Sequence, residues 1–442
     1  MSPILGVPGV DFSVEDVRGQ FPEELEVRPL ERPVDASVRV PGSKSVTNRA
    51  LLIAALADGT STVRNTLFSD DSYWLMRSLV ELGFEVRANG ETGETTVLGQ
   101  TGIIPRSGVE VFVGNAGTVA RFLPPALALG PGPYVVYGAP RMRERPVGDL
   151  VDAMRLLGAR VGYAEGEGRF PLRVEGGGIL GGTAPVRGKS SSQFVSGLLM
   201  AAPYATEPVT LEAEGRQEWP YVGITTQAMR AFGVDVEVGD ARYSVRPSVY
   251  RAREYAVEPD ASAASYFMAA AAVTGGRVRI PGLGAASPQG DLRFAGVLGE
   301  MGCDVDLGED HVEVRGPERL RGVEVDMNAF SDTMMTLAAI APFASTPTVI
   351  ENVEHTRGQE TDRVSAVATE LRRLGVTVEE RRDGLRITPG EVRPAVVETY
   401  GDHRMAMAFA VTGLVAPGVV IRDPGCVTKT FPDYFERLEA LR

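Results

Sequence analysis

The sequence predicts an α/β (α+β) protein of two domains, each built from three copies of one β-α-β-α-β-β unit. Three observations carry that expectation. An Ala-rich apolar helix behind a polar or glycine-rich start recurs six times, from Ser43, Ala116, Ser191, Asp260, Asp332 and Asp402, in steps of 73, 75, 69, 72 and 70 residues. A second helix in the intervals ends on a glycine before an apolar strand, at Gly83, Gly158, Gly233, Gly302 and Gly375, spaced 75, 75, 69 and 73. A period of about 70 residues exceeds the ~20–50 of the common solenoids, so two compact domains of three copies each are expected.

Each element has a local reason. The first helices, such as Ala50–Leu56 and the MAAAA run from Met268, are apolar on nearly all faces and must be buried. The alternating segments behind them read as strands, for example STVRN from Ser61 and RVRIP from Arg277. The glycine closing each second helix fits a left-handed residue just past a helix end. Ser and Asp at the helix starts are ordinary N-caps. The basic residues beside them, Lys44, Arg49, Arg121 and Arg404, are not explained by capping, because positive charge there opposes the helix dipole. Their recurrence indicates helix ends that jointly face an anion.

Composition removes other classes. Lys and Arg total 45 against 58 Asp and Glu, for a net charge of −13, which argues against a general nucleic-acid binder. Only three of those cations are lysines, Lys44, Lys189 and Lys429. The amino-terminal segment lacks a basic stretch followed by an apolar run, so no signal peptide is expected. No run approaches the ~18 apolar residues of a membrane span. Cys303 and Cys426 make no disulfide framework, and no CxxC or HExxH spacing offers a zinc site. A cytoplasmic, monomeric protein without metal or cofactor is expected, binding neither nucleic acid nor membrane.

The motifs then point to a family. GSKSVTNRALLIAAL (Gly42–Leu56), GNAGTVARFLPP (Gly114–Pro125), GAPRMRERPVGDLVDA (Gly138–Ala153), SSQF (Ser191–Phe194), QETDR (Gln359–Arg363), DHRMAMAFA (Asp402–Ala410) and KTFPDYF (Lys429–Phe435) resemble, in order, the signatures of the EPSP synthase family. The resemblance starts near Arg28 and implies a two-domain inside-out α/β barrel. It puts residues 1–42 and 259–442 in one domain, with 1–27 an extension of unknown role, and 43–258 in the other, with the active site in the cleft between them. The implied reaction moves the enolpyruvyl group of phosphoenolpyruvate onto the 5-hydroxyl of shikimate 3-phosphate.

By the same resemblance, Lys44, Asn115, Gly117, Arg141, Gln193, Arg363, Arg404 and Lys429 would bind phosphoenolpyruvate. Lys44, Ser45, Arg49, Ser191, Ser192, Gln193, Tyr221, Asp332, His355 and Gln359 would bind shikimate 3-phosphate. Glu360 and Lys44 would handle the proton at the methylene carbon, and Asp332 would take the hydroxyl proton, with His403 in support. The residue types suit such multiply anionic ligands, since arginine recognises carboxylate and phosphate bidentately, while lysine is a point charge able to move a proton. Asp332 is also read as the N-cap of its helix. Glyphosate, a phosphoenolpyruvate mimic, is expected to inhibit, although Phe122 stands where the family often has proline.

The departures fall on the acceptor side. The family usually has Asn and Lys where this chain has His355 and Gln359, and Ser where it has Glu218. Either His355 or Arg357 restores the lost charge, or Glu218 turns away. An enolpyruvyl transferase with another acceptor therefore stays open, as does a non-catalytic paralogue. The related family acting on UDP-N-acetylglucosamine matches poorly, since no cysteine lies near Arg141 and Arg143.

Overall fold

The computed structural model describes residues 9–10, 20–187, 191–214 and 219–442. Lys189 and Glu218 lie outside them. The chain divides into two compact units. One contains Gly42–Val257, and the other contains residues 20–41 and Glu258–Arg442.

The first unit holds α1 (Lys44–Leu56), α2 (Asp70–Glu81), α3 (Gly117–Leu127), α4 (Pro140–Glu144), α5 (Gly148–Leu156), α6 (Ser192–Ala201) and α7 (Pro220–Ala231). The second holds α8 (Ala261–Thr274), α9 (Phe294–Glu300), α10 (Met334–Ile340), α11 (Arg363–Arg373), α12 (His403–Gly413) and α13 (Tyr434–Glu439). The Ala-rich helices form the interiors. Every residue of α3, and all but the first two of α1, are buried; in the second unit α8, α10 and α12 pack on one another within one apolar cluster. Small side chains let these backbones approach closely, and the sheets lie outside them.

Among the described residues there are six sheets of one pattern, a strand, a parallel neighbour, then antiparallel strands. In the first unit Asp58–Arg64 lies between parallel Glu254–Ala256 and antiparallel Glu94–Gln100. Tyr134–Tyr137 lies likewise between Val109–Phe112 and Leu172–Val174, and Val209–Glu214 between Gly182–Arg187 and Arg242–Val245. In the second unit Arg277–Pro281 sits between Asp35–Ser37 and His311–Arg315, and Thr348–Glu351 between Glu324–Asp326 and Leu385–Thr388. The sixth sheet has three strands: Val419–Arg422 runs parallel to Ala395–Val397 and antiparallel to Glu24–Val27, with Glu24 opposite Arg422. The six-copy repeat read from sequence is thus six sheets with matching helices.

Local signals explain the helix boundaries. Gly83, Gly158, Gly233, Gly302 and Gly375 have φ of 94, 86, 88, 104 and 84°, the left-handed geometry that a Cβ would penalise. Asp260, Asp362 and Asp402 cap α8, α11 and α12 by accepting from the amides of Ala263, Ser365 and Arg404. One expected start differs. Asp332 does not cap α10: it lies in a 3-10 segment, Asn328–Thr333, Thr333 occupies the N-cap position, and the Asp332 carboxylate is engaged by two arginines.

Candidate active site

In the first unit the candidate residues gather at the starts of α1, α3, α6 and α7. Lys44, the first residue of α1, has Nζ 3.7 Å from Asp71 at the start of α2. One turn on, Asn48 donates to Thr118 Oγ1 at 2.7 Å, tying α1 to the start of α3. Gly117 opens α3, and a Cβ there would lie 3.0 Å from Nη1 and 3.1 Å from Nη2 of Arg145. Arg145 is buried, as is Arg121, whose Nη1 donates to Met142 Sδ at 3.1 Å and Gly117 O at 3.4 Å. Arg141 is half-exposed and pairs with Glu144 at 2.7 Å. Asn115 precedes this helix start, so Asn115, Gly117 and Arg121 belong to one helix N-terminus, with Arg145 against it.

Arg49 serves differently from the other arginines. It is fully buried and donates to Thr225 Oγ1 (2.6 Å), Ser45 O (2.8 Å), Ser196 Oγ (3.0 Å) and Tyr221 O (3.0 Å), with its guanidinium 4.9 Å from the Phe122 ring. Burial outweighs its polar partners and pushes its pKa down to about 9. Its donors bind protein groups, so in this structure it organises the backbone at Ser45 and Tyr221. Ser191 caps α6 by accepting from Gln193 N at 3.3 Å; Ser191 is exposed, and Ser192 and Gln193 are half-exposed beside it. These are hydroxyl and amide groups at an open helix N-terminus, the chemistry a phosphate requires.

In the second unit the candidates converge on Arg363 at the start of α11. Its side chain is 2% exposed, and it donates to Asp402 (2.8 Å), Glu360 (2.9 Å) and Asp332 (3.1 Å) and also to Gln359. Burial alone would lower its pKa, but Asp402, Glu360 and Asp332 outweigh it and hold the guanidinium charged. Arg404 donates to the other Asp332 oxygen at 2.7 Å and to Tyr266 OH at 3.4 Å. Its pKa is likewise raised: the loss from burial is exceeded by Asp332, Tyr266 and Asp291. Lys429 lies 3.6 Å from the second Glu360 oxygen. His355 shares a hydrogen bond of 2.8 Å with Ser331, the neighbour of Asp332. His403 is fully buried, 3.4 Å from Asp402. Asp332, Glu360, Asp402, Arg363, Arg404 and Lys429 thus form one charged cluster, with His355, Gln359 and His403 at its edge.

Two outcomes change the sequence reading. Arg357, one of the two candidates for the missing acceptor charge, grips Asp362 with both carboxylate oxygens at 3.0 and 2.9 Å and donates to Ser365 and to the carbonyls of Arg381 and Arg382. Its geometry is structural, so of the two cations His355 stands closer to the Asp332 end of the cluster, beside Ser331. Sequence reasoning also missed Arg145 and Asp291. Arg145 carried a signal, lying inside the GAPRMRERP motif, but 42 arginines dilute it.

Asp291, in the turn Gly290–Arg293, is buried and accepts from Ser262 Oγ. Burial, and then Asp332, push its pKa up to about 7 against the pull of Arg404. An unfolded aspartate titrates near about 4, so between the two values the folded chain binds more protons and stability falls as pH rises. Asp291→Asn is therefore expected to gain stability over the parent as pH rises from about 4 to about 7, and to keep that gain above it. Thermal melts at pH 4.5 and 8 check this; an equal difference at both would count against it.

Among the described residues no group of His, Cys, Asp or Glu is arranged to hold a metal ion, and no helix is long and apolar enough to cross a membrane.

Known proteins share both the sequence and the fold. The family model described as EPSP synthase (3-phosphoshikimate 1-carboxyvinyltransferase) matches residues 30–438. The 3-phosphoshikimate 1-carboxyvinyltransferase of Trichormus variabilis is 51% identical over 418 residues, covering 94% of this chain and 98% of the relative. That of Vibrio atlanticus is 45% identical over 425 residues, covering 95% and 99%. Among solved structures, EPSP synthase from Acinetobacter baumannii superposes with a TM-score of 0.81 at 24% identity, over 95% of this chain and 98% of that one. The enolpyruvyl transferase NikO from Streptomyces tendae gives 0.74 at 20% identity over the same shares. At these identities the structures speak for the fold.

Proposed function

We propose that this chain, which belongs to the EPSP synthase (3-phosphoshikimate 1-carboxyvinyltransferase) family, transfers the 1-carboxyvinyl group of phosphoenolpyruvate to the 5-hydroxyl of shikimate 3-phosphate and releases phosphate. The observation that carries the reading is the cluster around Arg363, in which one buried guanidinium engages Asp332, Glu360 and Asp402, and Lys429 engages Glu360.

Three cations and three carboxylates in that cluster serve two purposes. Arg363 and Arg404 are held charged, and with Lys429 they are oriented before any ligand arrives, so an incoming phosphate or carboxylate meets donors already aimed. Their carboxylate partners are the groups the chemistry needs. As the acceptor oxygen bonds to C2 of phosphoenolpyruvate, C3 gains a proton from the pair Glu360 and Lys44, and the acceptor hydroxyl gives its proton to Asp332. The methyl group then returns a proton to that pair as the C2–O bond to phosphate breaks, which regenerates the double bond, and Asp332 passes the hydroxyl proton to the departing phosphate. Within each step C2 becomes cation-like, as C3 is protonated and again as phosphate departs, and the neighbouring carboxylates stabilise it there. Arg363 and Arg404 each bond one Asp332 oxygen and so fix the orientation of the carboxylate that is to accept the proton.

The first unit supplies Lys44, Asn115, the Gly117 amide and Arg141 to phosphoenolpyruvate. Its Ser45, Ser191, Ser192, Gln193 and Tyr221 serve the acceptor phosphate, with Arg49 holding Ser45 and Tyr221 in place. His355, paired with Ser331 beside Asp332, is the side chain we assign to replace the lysine absent at Gln359. A cytoplasmic monomer goes with this reading, supported for the compartment by the buried free thiol of Cys303.

The test is phosphate release from phosphoenolpyruvate in the presence of shikimate 3-phosphate. Saturable turnover is expected. A folded protein that releases none, or that prefers another acceptor, would overturn the assignment.

A further inference from the structure

The turn ahead of α12 carries backbone strain that the proposed chemistry does not use. Tyr400 has φ of 55° and Gly401 has φ of 67°. The second suits glycine; the first is a true outlier for a bulky residue and persists only where something nearby holds it. The Tyr400 ring is not buried: the residue is 45% exposed, so packing does not hold it. Its hydroxyl does. It donates at 2.7 Å to Glu370, a carboxylate whose side chain is completely buried.

Glu370 is fully engaged. One oxygen takes the Tyr400 hydroxyl, and the other accepts from the Glu398 amide at 3.0 Å and from Arg373 at 2.9 Å. Arg373 also donates to Val396 O at 3.2 Å. Glu370 stands seven residues after Arg363 on α11, two turns along the same face. That face therefore fastens the approach to α12 at successive points: Val396 and Glu398, then Tyr400, then Asp402, which Arg363 holds at 2.8 Å. Asp402 in turn caps α12 and accepts from the amide of Arg404 at 2.9 Å.

We infer that Glu370 and Tyr400 are positioning residues, a latch that sets the turn 398–402 so that Asp402 meets Arg363 and Arg404 is presented in register for phosphoenolpyruvate. The inference rests on the functional reading above for its substrate and on the hydrogen bonds alone for its mechanics. Burial, and then the Glu370 carboxylate, push the Tyr400 phenol up to about 12, so it remains a donor throughout the working range.

The test compares Tyr400→Phe, Tyr400→Gly and the parent. Tyr400→Phe removes one donor from a completely buried carboxylate, so the protein is expected to stay folded with a melting temperature lowered by a few degrees. The KM for phosphoenolpyruvate should rise about ten-fold as Arg404 loses its register, with kcat little altered. Tyr400→Gly relieves the φ strain and loses the latch, so it should show the same KM rise. Amide hydrogen exchange at residues 398–404 should quicken in both variants and in no other segment. An unchanged KM in an active protein, or unchanged exchange in that segment, would overturn the latch. A parent without phosphate release would overturn the functional reading instead, and exchange would still decide whether the latch holds the turn.

Discussion

Arg363→Met is expected to destabilise the protein by about 3–5 kcal/mol, the cost of removing one partner from a buried ion cluster, and to abolish phosphoenolpyruvate binding. The three carboxylates it leaves are not equally exposed to the loss. Asp332 keeps Arg404 at 2.7 Å, and Glu360 keeps Lys429 at 3.6 Å. Asp402 is fully buried and keeps the capping bond to the Arg404 amide and a His403 contact at 3.4 Å, so most of the penalty falls there. Methionine matches the volume and supplies no donor. Arg363→Lys keeps the charge but cannot reach three carboxylates at once, and an intermediate loss is expected. Urea unfolding checks both. A loss below about 1 kcal/mol for Arg363→Met would mean that water, not the arginine, satisfies these carboxylates.

Glu360→Gln separates chemistry from stability. The amide keeps an oxygen for the bond to Arg363, so the fold should be retained. It cannot move a proton at neutral pH, so kcat should fall by about 10²–10⁴-fold, the usual contribution of a general acid–base group. The KM for phosphoenolpyruvate should change little, because Glu360 takes no part in holding the anion. In deuterated solvent, incorporation of deuterium into the methylene of phosphoenolpyruvate reports the same step directly. A kcat within about three-fold of the parent would move the proton transfer to another residue.

How much of this was legible in advance depends on whether the cause is local. The repeat, the buried Ala-rich helices and the closing glycines follow from side-chain pattern and backbone geometry within one copy, and they read cleanly. The charged residues could be placed at helix starts, and Lys44, Arg363, Arg404 and Lys429 stand there or close by. What they touch could not be read. Arg49 and Arg404 look alike in sequence, yet one donates to protein carbonyls and hydroxyls and the other to a carboxylate. Asp332 looks like a cap because Asp commonly is one; the partners its carboxylate takes instead, Arg363 and Arg404, lie 31 and 72 residues away in sequence. Asp291 and Tyr400 had no sequence signal, since burial beside Ser262 or a bond to Glu370 exists only after the copies assemble.

The sixth sheet has a consequence for the timing of synthesis. Glu24 pairs with Arg422, 398 residues later, whereas the first unit can close once Glu254–Ala256 has emerged beside Asp58–Arg64. At ribosomal rates of about 5–20 residues per second, the strand Glu24–Val27 waits roughly 20–80 s for its partner. Through that interval it is an open edge, able to recruit another strand, while the first unit has already folded. Two units of equal architecture thus have unequal histories, and the second, which carries the Arg363 cluster, is the one whose yield depends on what shelters its first strand.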